Sequence, residues 1–395
     1  MMASAGGSGD DHGKPRNRVP DGVLRSVGFL SFFDRFGTPP MLVVLADRTD
    51  LSLGQAVQLV AAYALLYAVG QPVWGLLSDR FGRLAILRMA LTGVMIGSLA
   101  STLSGSYLPL LLARAFTGLM AGALYPTLMT ILGDTRTGID RARGLSDLQI
   151  YSSLGTTIAA LATGTLAALV DWRLVFALPA VGCLVLLILL RGVEIDGHSG
   201  RRGIRLGHAF SPSALGIYGL AVLEGAVLMG ILTYIVPALQ NAGVGVSLAG
   251  MLAAGFGVGV ILGARVMRRL VQRFTRTQLI AIGGSVLVTA FLVSSLWHVP
   301  AALTTTAVLV GVSNAVLHSS MQGWATDIAP QARATSVALF AGSLFLGSSL
   351  QNFLTAGLAD NRQYGTIFLM GLVASIFLTV IAALGHASWK RIHAS

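Results

Sequence analysis

The sequence predicts an all-α membrane protein with twelve transmembrane helices in two pseudo-symmetric six-helix bundles. Composition, a series of long apolar runs, and the position of the basic residues between those runs all predict this class. Of the 395 residues, 54% are hydrophobic and 11% are charged, and the mean hydropathy is +0.75. Soluble domains carry about 25% charged residues. The chain therefore has too little polar surface for water, and we expect the lipid bilayer to surround it.

Twelve apolar runs approach the length of about 20 residues that a membrane helix needs. They cover residues 24–46, 55–77, 84–103, 107–132, 144–169, 173–191, 213–237, 246–267, 277–297, 301–323, 334–358 and 364–386. One gap is long, polar and basic, and it separates six runs from the next six. We therefore expect a disordered tail at 1–22, one bundle at 23–191, a linker at 192–212 and a second bundle at 213–389.

Basic residues indicate the orientation, because cytoplasmic loops are enriched in Lys and Arg. With the N-terminus inside, 22 of the 27 Lys and Arg residues fall in inner segments, and the outer loops hold Arg48, Arg173 and Arg362. We expect a multi-pass protein of the bacterial plasma membrane with both termini cytoplasmic. The net charge of +11 does not indicate a nucleic-acid partner, because the basic residues lie in short breaks between apolar runs.

The two halves of the chain repeat weakly. The segments ARGLS at Ala142 and ARATS at Ala332 are 190 residues apart, and WRLVF at Trp172 and YGTIF at Tyr364 are 192 apart. Parallel repeats of six helices are typical of one transporter architecture.

A motif between the second and third runs supports this architecture. The segment GLLSDRFGR closely resembles the signature loop G-x-L-x-D-R-x-G-R of the major facilitator superfamily, and it follows the second of twelve spans as in that family. In the fourth run, Arg114 and Gly118 match the family's R-x-x-x-G pattern. The chain is thus similar to the proton-coupled efflux transporters of the superfamily. The residues of the signature segment are Gly75, Asp79, Arg80, Gly82 and Arg83.

The resemblance implies a latch at the inner side. Asp79 should cap the amino end of the eleventh helix near Ala334, where exposed N–H groups favour an anion. Arg83 should reach Asp134 at the inner end of the fourth helix. The second-half counterpart has Met267 where the acid would be, so we expect a weaker latch there.

Charged residues near the middle of the spans fall in a small set of helices. In this superfamily the first, fourth, seventh and tenth helices line the central cavity. A charge at mid-bilayer costs about 3 kcal/mol by insertion scales, so it persists where it faces water or a partner. The mid-span charges, with the polar candidates of the tenth run, are Asp34, Arg35, Arg114, Glu224, Asn314 and His318.

Asp34 is the expected proton carrier, with Arg35, Arg114, Glu224 and His318 in the same proton-coupling group. Asp34 and Arg35 are neighbours that point apart on a helix and need not pair, whereas Arg114 is a possible partner for Asp34. Asp34 and Glu224 are 190 residues apart, so each half carries one carboxylate. Structural ion pairing of either acid, and ordinary hydrogen bonding by His318, remain the alternatives.

Aromatic side chains are the expected wall of the substrate cavity, although plain packing is the alternative for each. Pro39 and Pro40 should bend the first helix, because proline removes a backbone donor. The residues expected in the cavity are Phe33, Tyr63, Tyr67, Tyr125, Tyr234 and Asn314.

Other function classes fit less well. The sequence has none of the diphosphate, zinc-hydrolase, nucleophile-elbow or P-loop motifs, which argues against an enzyme and against direct use of ATP. The repeat favours alternating access over a channel. We expect a monomeric exporter of a small amphipathic compound, drug-like or lysolipid-like, driven by protons without a cofactor or metal. The lysolipid option arises because Asp34-Arg35 resembles the Asp-Arg of Spinster-type transporters. A sugar or metabolite importer is the alternative.

The predicted topology is testable by cysteine labelling. In a Cys183→Ala background, a cysteine at position 202 should resist a membrane-impermeant maleimide in sealed cells and react after permeabilisation. A cysteine at position 362, in a predicted outer loop, is the matched control and should react in sealed cells. Strong labelling at position 202 in sealed cells would contradict the topology.

Overall fold

The protein is described here from a computed structural model covering residues 19–193, 210–330 and 332–393, without the side chains of Asp79, Arg333, Ala334 and His393. Most of the predicted tail and linker lies outside these residues. The helical segments are α1 (Asp21–Arg48), α2 (Leu53–Phe81), α3 (Arg83–Leu103), α4 (Tyr107–Thr135), α5 (Gly138–Asp171), α6 (Arg173–Leu189), α7 (Pro212–Asn241), α8 (Val246–Leu270), α9 (Arg276–Leu296), α10 (Pro300–Ile328), α11 (Arg333–Asp360) and α12 (Tyr364–His393).

The prediction of twelve membrane helices is confirmed. Within the described residues, eleven helices are long and apolar enough to cross a membrane, and α6 is a shorter apolar helix of 17 residues. The outer surface carries large apolar side chains that water would not tolerate in such number. On α12 they recur every three or four residues and form a stripe that faces the lipid, comprising Leu369, Val373, Phe377, Val380 and Leu384.

Helix packing repeats between the two halves. In the first half α1 packs on α5, α2 on α4, and α3 on both α4 and α6. The second half has the same pairs six helices later: α7 packs on α11, α8 on α10, and α9 on both α10 and α12. The halves meet where α2 packs on α11 and where α5 packs on α8. Moving each helix to its counterpart in the other half turns one of these contacts into the other. The predicted fold class is therefore confirmed.

Each of the four helices expected to line the cavity is interrupted near its middle. The α1 helix breaks into a 3₁₀ turn at Pro39–Met41, as its two prolines predict. The corresponding position in the second half, 190 residues later, lies in α7. There a π turn at Ala226–Gly230 precedes a 3₁₀ turn. In α4 the break lies at residues 122–123, and α10 has a π turn at Asn314–His318. The repeat between the two halves thus extends to the interruptions of these four helices.

One end of the bundle carries Arg48, Arg173 and Arg362 and is called the Arg-poor end; the opposite end, with most other basic residues, is the Arg-rich end. The two halves are in close contact at the Arg-poor end. The hydroxyl of Thr165 on α5 donates to that of Ser247 on α8 at 2.9 Å. A Cβ at Gly250 of α8 would lie 2.6 Å from the carbonyl oxygen of Ala160.

A charged contact closes the same end between α2 and α11. The backbone N–H of Gly54, in the first turn of α2, donates to Oδ1 of Asp360 at 2.5 Å. The Asp360 carboxylate therefore lies at the amino terminus of α2, where the helix dipole favours an anion. A Cβ at Gly54 would lie 2.5 Å from the Asp360 carboxylate and 2.6 Å from the carbonyl oxygen of Ala356. Glycine is thus required for this approach of the two halves.

Toward the Arg-rich end the wall residues are accessible. Gln149 and Tyr151 of α5 are exposed, and Tyr125, Asn314 and His318 are partly exposed. The two halves are therefore in contact at the Arg-poor end, and the expected wall residues are accessible from the Arg-rich end.

Asp360→Asn should weaken the closure at the Arg-poor end, because a helix terminus loses its anion. An exposed charge at this position contributes about 0.3–1 kcal/mol, which corresponds to a shift of about two- to fivefold toward the open state. Gly54→Ala should open the same end further by steric contact. Spin labels at Arg48→Cys and Asn241→Cys, in a Cys183→Ala background, would report the distance across this end.

The control is Asp50→Asn, which removes an exposed carboxylate at the same end. Its distance distribution should match that of the parent protein. Unchanged distributions in both Asp360→Asn and Gly54→Ala would show that the α2–α11 contact does not hold this end closed.

Candidate functional site

A buried ion pair joins α1 and α4 in the first half. Arg114 Nη1 lies 3.0 Å from Asp34 Oδ1, and the two side chains are 1% and 2% exposed. The second guanidinium nitrogen of Arg114 donates to the backbone carbonyl of Asp34 at 3.5 Å. The guanidinium also lies over the rings of Tyr63 and Phe176, at 4.6 and 4.9 Å from their centroids. Arg114 is therefore held from several directions.

The Asp34 carboxylate is only partly satisfied. Its Oδ2 and the Nε of Arg114 have no hydrogen-bond partner among the described residues. One carboxylate oxygen is thus paired with a cation while the other is available to accept a proton.

Gly118, one turn after Arg114, lets α4 approach α2. A Cβ at this position would clash with the backbone of Tyr63. The R-x-x-x-G pattern thus combines a buried cation with a close helix contact that positions the Tyr63 ring over it.

Arg35 does not pair with Asp34. Its Nη1 donates to the hydroxyl of Tyr67 on α2 at 3.2 Å. Its guanidinium lies 4.2 to 5.2 Å from the centroids of four aromatic rings, three from the first half and one from α11. These rings are Phe32, Phe36, Tyr67 and Phe345.

A second buried acid lies in the other half. Glu224 of α7 is fully buried, and His318 Nδ1 of α10 lies 3.3 Å from its Oε1. The geometry of this contact is not that of a hydrogen bond, and neither Glu224 oxygen has a hydrogen-bond partner among the described residues. The imidazole stacks on Phe340 of α11 with a centroid separation of 5.8 Å. Sequence reasoning named both residues but did not pair them.

Local backbone geometry encloses Glu224. Gly225 lies against the backbone of Leu344 on α11, and Gly347 lies against the backbone of Val222, so a Cβ at either glycine would clash. The π turn that follows Gly225 and the π turn that ends at His318 bring the two side chains together. Single π turns are frequent at functional sites.

The expected aromatic wall is divided between the cavity and the core. Tyr67 contacts Arg35, and Tyr125 donates to Gln149 at 3.1 Å beside Phe32. Tyr63 is buried beside Arg114, and Phe33 is buried in a stack with Phe29. Tyr234 is fully buried and shares a hydrogen bond with Thr355, so the structure places it in the core rather than on an open wall. Asn314 is partly exposed at the π turn of α10.

The signature segment is helical through Phe81, and only Gly82 breaks it. Gly82 has a φ of +88°, which requires glycine. Gly75 has open space around it, so none of the described residues approaches closely enough to require a glycine there. Arg80 is exposed and lies over the ring of Phe81 at 5.4 Å.

The expected latch contacts are partly described. Arg83 Nε lies 3.5 Å from Asp134 Oδ2, and Arg83 Nη1 donates to Ser78 at 2.9 Å. The expected cap of α11 by Asp79 near Ala334 lies outside the described side chains.

Three features of the site escaped sequence reasoning. Phe345, which completes the rings around Arg35, and Asp360, which caps α2, are contacts between halves and leave no local pattern. Phe36 has a local signal, because it lies four residues after Phe32 and flanks Arg35 on the same helix.

Comparison with known proteins identifies the family. A sequence model of the Major Facilitator Superfamily matches residues 26–235 and 214–386. Among curated proteins, Quinolone resistance protein NorB of two Staphylococcus aureus strains is 29% and 30% identical to this chain over 155 and 152 residues. Each match covers 38% of this chain and about a third of the relative, 33% and 32%.

Solved structures share the fold at low identity. The nucleoside transporter NupG has a TM-score of 0.73 at 12% identity, covering 94% of this chain and 99% of that one. A bacterial homolog of the human lysosomal transporter Spinster, inward-facing and occupied, has a TM-score of 0.72 at 20% identity, covering 94% and 96%. The peptide transporter POT in complex with sulfate has a TM-score of 0.70 at 18% identity, covering 92% and 94%. The chain belongs to the Major Facilitator Superfamily and is a multi-pass membrane transporter, not an enzyme.

Proposed function

We propose that this protein is a proton-coupled secondary transporter that exports an amphipathic organic compound by alternating access. The buried Asp34–Arg114 pair carries the proposal. Its carboxylate has one oxygen on a cation and one without a partner, and it belongs to a helix interrupted a few residues further on. A change in the position of α4 relative to α1 would alter the charge that Asp34 faces.

The proposed cycle uses this pair as the proton switch. In the state open at the Arg-rich end, Arg114 holds Asp34 as a carboxylate, because a nearby cation favours the charged form. Opening of the Arg-poor end would separate the two side chains, and Asp34 would bind a proton from that side. Return to the present state would restore the ion pair and release the proton at the Arg-rich end. With the expected topology, protons move inward and the substrate moves outward.

Glu224 and His318 form the second site that would respond to protons. A fully buried carboxylate without hydrogen bonds or a cation is costly, so the pair needs a proton either on Glu224 or on His318. Glu224 Oε1 and His318 Nδ1 lie 3.3 Å apart, so a single proton can be shared between them. Opening of the Arg-poor end would change the access of water to this pair as well.

Export of an amphipathic compound fits the composition of the cavity. Aromatic side chains surround its charged group, whereas a sugar site would need more hydrogen-bonding groups around the ligand. The name of the NorB relatives refers to quinolone resistance, which supports a drug-like substrate, although the match covers 38% of this chain. The Asp-Arg of α1 supports the lysolipid-like option.

Asp34→Asn should abolish transport driven by a pH gradient and leave equilibrium substrate binding partly intact. Asparagine keeps an oxygen that accepts a hydrogen bond from Arg114 but cannot exchange a proton. Transport would be measured in proteoliposomes with an imposed gradient, beside binding to the purified protein.

The matched control is Asp147→Asn, which removes an aspartate from an ion pair with Arg25 at the Arg-rich end. This variant should transport under the gradient like the parent. Normal gradient-driven transport by Asp34→Asn would show that Asp34 is a structural ion-pair member only.

Glu224→Gln should reduce gradient-driven transport less than Asp34→Asn does. His318→Asn should cause a similar partial loss, and the double variant should be no worse than either single one, because residues in one unit are not additive. Independent, multiplicative losses in the double variant would contradict a shared proton.

A further inference from the structure

Arg35 is a cation without a counterion among the described residues. It forms no ion pair with any described residue, and its buried Nε has no hydrogen-bond partner among them. The nearest acid in sequence, Asp34, is engaged by Arg114 at 3.0 Å. The other mid-span acid, Glu224, lies beside His318. No acid of the described residues therefore pairs with Arg35.

The surrounding rings stabilise this cation without neutralising it. Aromatic faces attract a guanidinium because the face of the ring carries partial negative charge. The N–H groups of a guanidinium point outward in its plane. The hydroxyl of Tyr67 accepts one of these N–H groups, which leaves most of the planar donor edge unused. That edge matches the oxygens of a carboxylate, sulfonate or phosphate.

The rings also define what would accompany the anion. Phe32 and Phe36 flank Arg35 on α1, and Phe345 approaches it from α11 in the other half. Arg35 is partly exposed between rings from both halves of the protein, so a ligand can reach its side chain. A ligand with an acidic group and an apolar body would satisfy the charge and the rings together.

We infer that Arg35 and its ring cluster form the binding site for the acidic group of an amphipathic organic anion. This inference specifies the substrate class of the proposed transporter and therefore rests on that function. The acidic group would bind the guanidinium edge, and the apolar body would pack against Phe32 and Phe345. Because Phe345 belongs to the second half, a ligand held there would contact both halves.

Matched fluorescent probes test the inference on the full chain in lipid nanodiscs, with empty nanodiscs subtracted. The first probe, 8-anilinonaphthalene-1-sulfonate, carries an acidic group, and N-phenyl-1-naphthylamine has the same rings without it. Displacement of the sulfonate probe by oleoyl lysophosphatidate, compared with monooleoylglycerol, separates a lipid headgroup from a drug-like acid as the source of the anion.

Arg35→Gln should lower the affinity for the sulfonate probe at least about tenfold, equivalent to about 1.4 kcal/mol. Its affinity for the neutral probe should change less than about twofold. Arg35→Lys should recover part of the loss, because it keeps the charge but not the planar fork. Arg173→Gln, which removes an exposed cation at the Arg-poor end, is the charge-matched control and should bind both probes like the parent.

Several results would overturn the inference. Equal affinity of the parent for both probes, binding of neither, or parallel losses of both in Arg35→Gln would each exclude an anion site at Arg35. Thermal unfolding of each variant would identify a loss caused by misfolding, and Phe345→Leu then provides an independent test from the opposite half. If selective sulfonate binding persists but no pH gradient drives transport, the proposed function fails while the anion site stands.

Discussion

A charge in the middle of a membrane protein must be paired, hydrated or neutralised, and the Asp34–Arg114 ion pair is the contact on which the rest of this structure depends. Removing one partner of a buried pair typically costs about 3–5 kcal/mol, because the other charge remains buried alone. The pair therefore ties α1 to α4 at the centre of the first half. The same constraint makes it useful, because a pair that is separated in another conformation needs a proton to replace the lost cation.

The constraint also explains where the helices are irregular. The π turn of α7 begins two residues after Glu224, and the π turn of α10 ends at His318. The break in α1 follows Asp34 by a few residues. Regular helices would let charged side chains reach one another only at fixed positions. The interruptions change the direction of nearby side chains and break the regular pattern of backbone hydrogen bonds. The charged side chains in the middle of the protein therefore lie beside the irregular turns. Close glycine contacts, as at Gly225 and Gly347, keep the surrounding helices tightly packed.

The sequence was sufficient for the fold and for most members of the site. Apolar run length and the basic residues between runs predicted twelve helices, because the bilayer restricts the possible structures. The 190-residue offset related Asp34 to Glu224, and the cost of buried charge predicted that these residues are functional. The sequence could not predict the π turns, which depend on tertiary packing, or the contact of Glu224 with His318 that follows from them. It also missed Phe345 and Asp360, because contacts between distant helices leave no periodic signal.

The central claim is that protonation of the buried carboxylates is coupled to which end of the protein is open. Its most direct test is the distance between spin labels at positions 48 and 241, measured at acidic and alkaline pH in the parent and in Asp34→Asn. The account predicts that acidic pH shifts the parent toward an open Arg-poor end, and that Asp34→Asn, which mimics the protonated form, is shifted at both pH values. Distance distributions that are independent of pH in the parent, or a pH response that persists unchanged in Asp34→Asn, would contradict it.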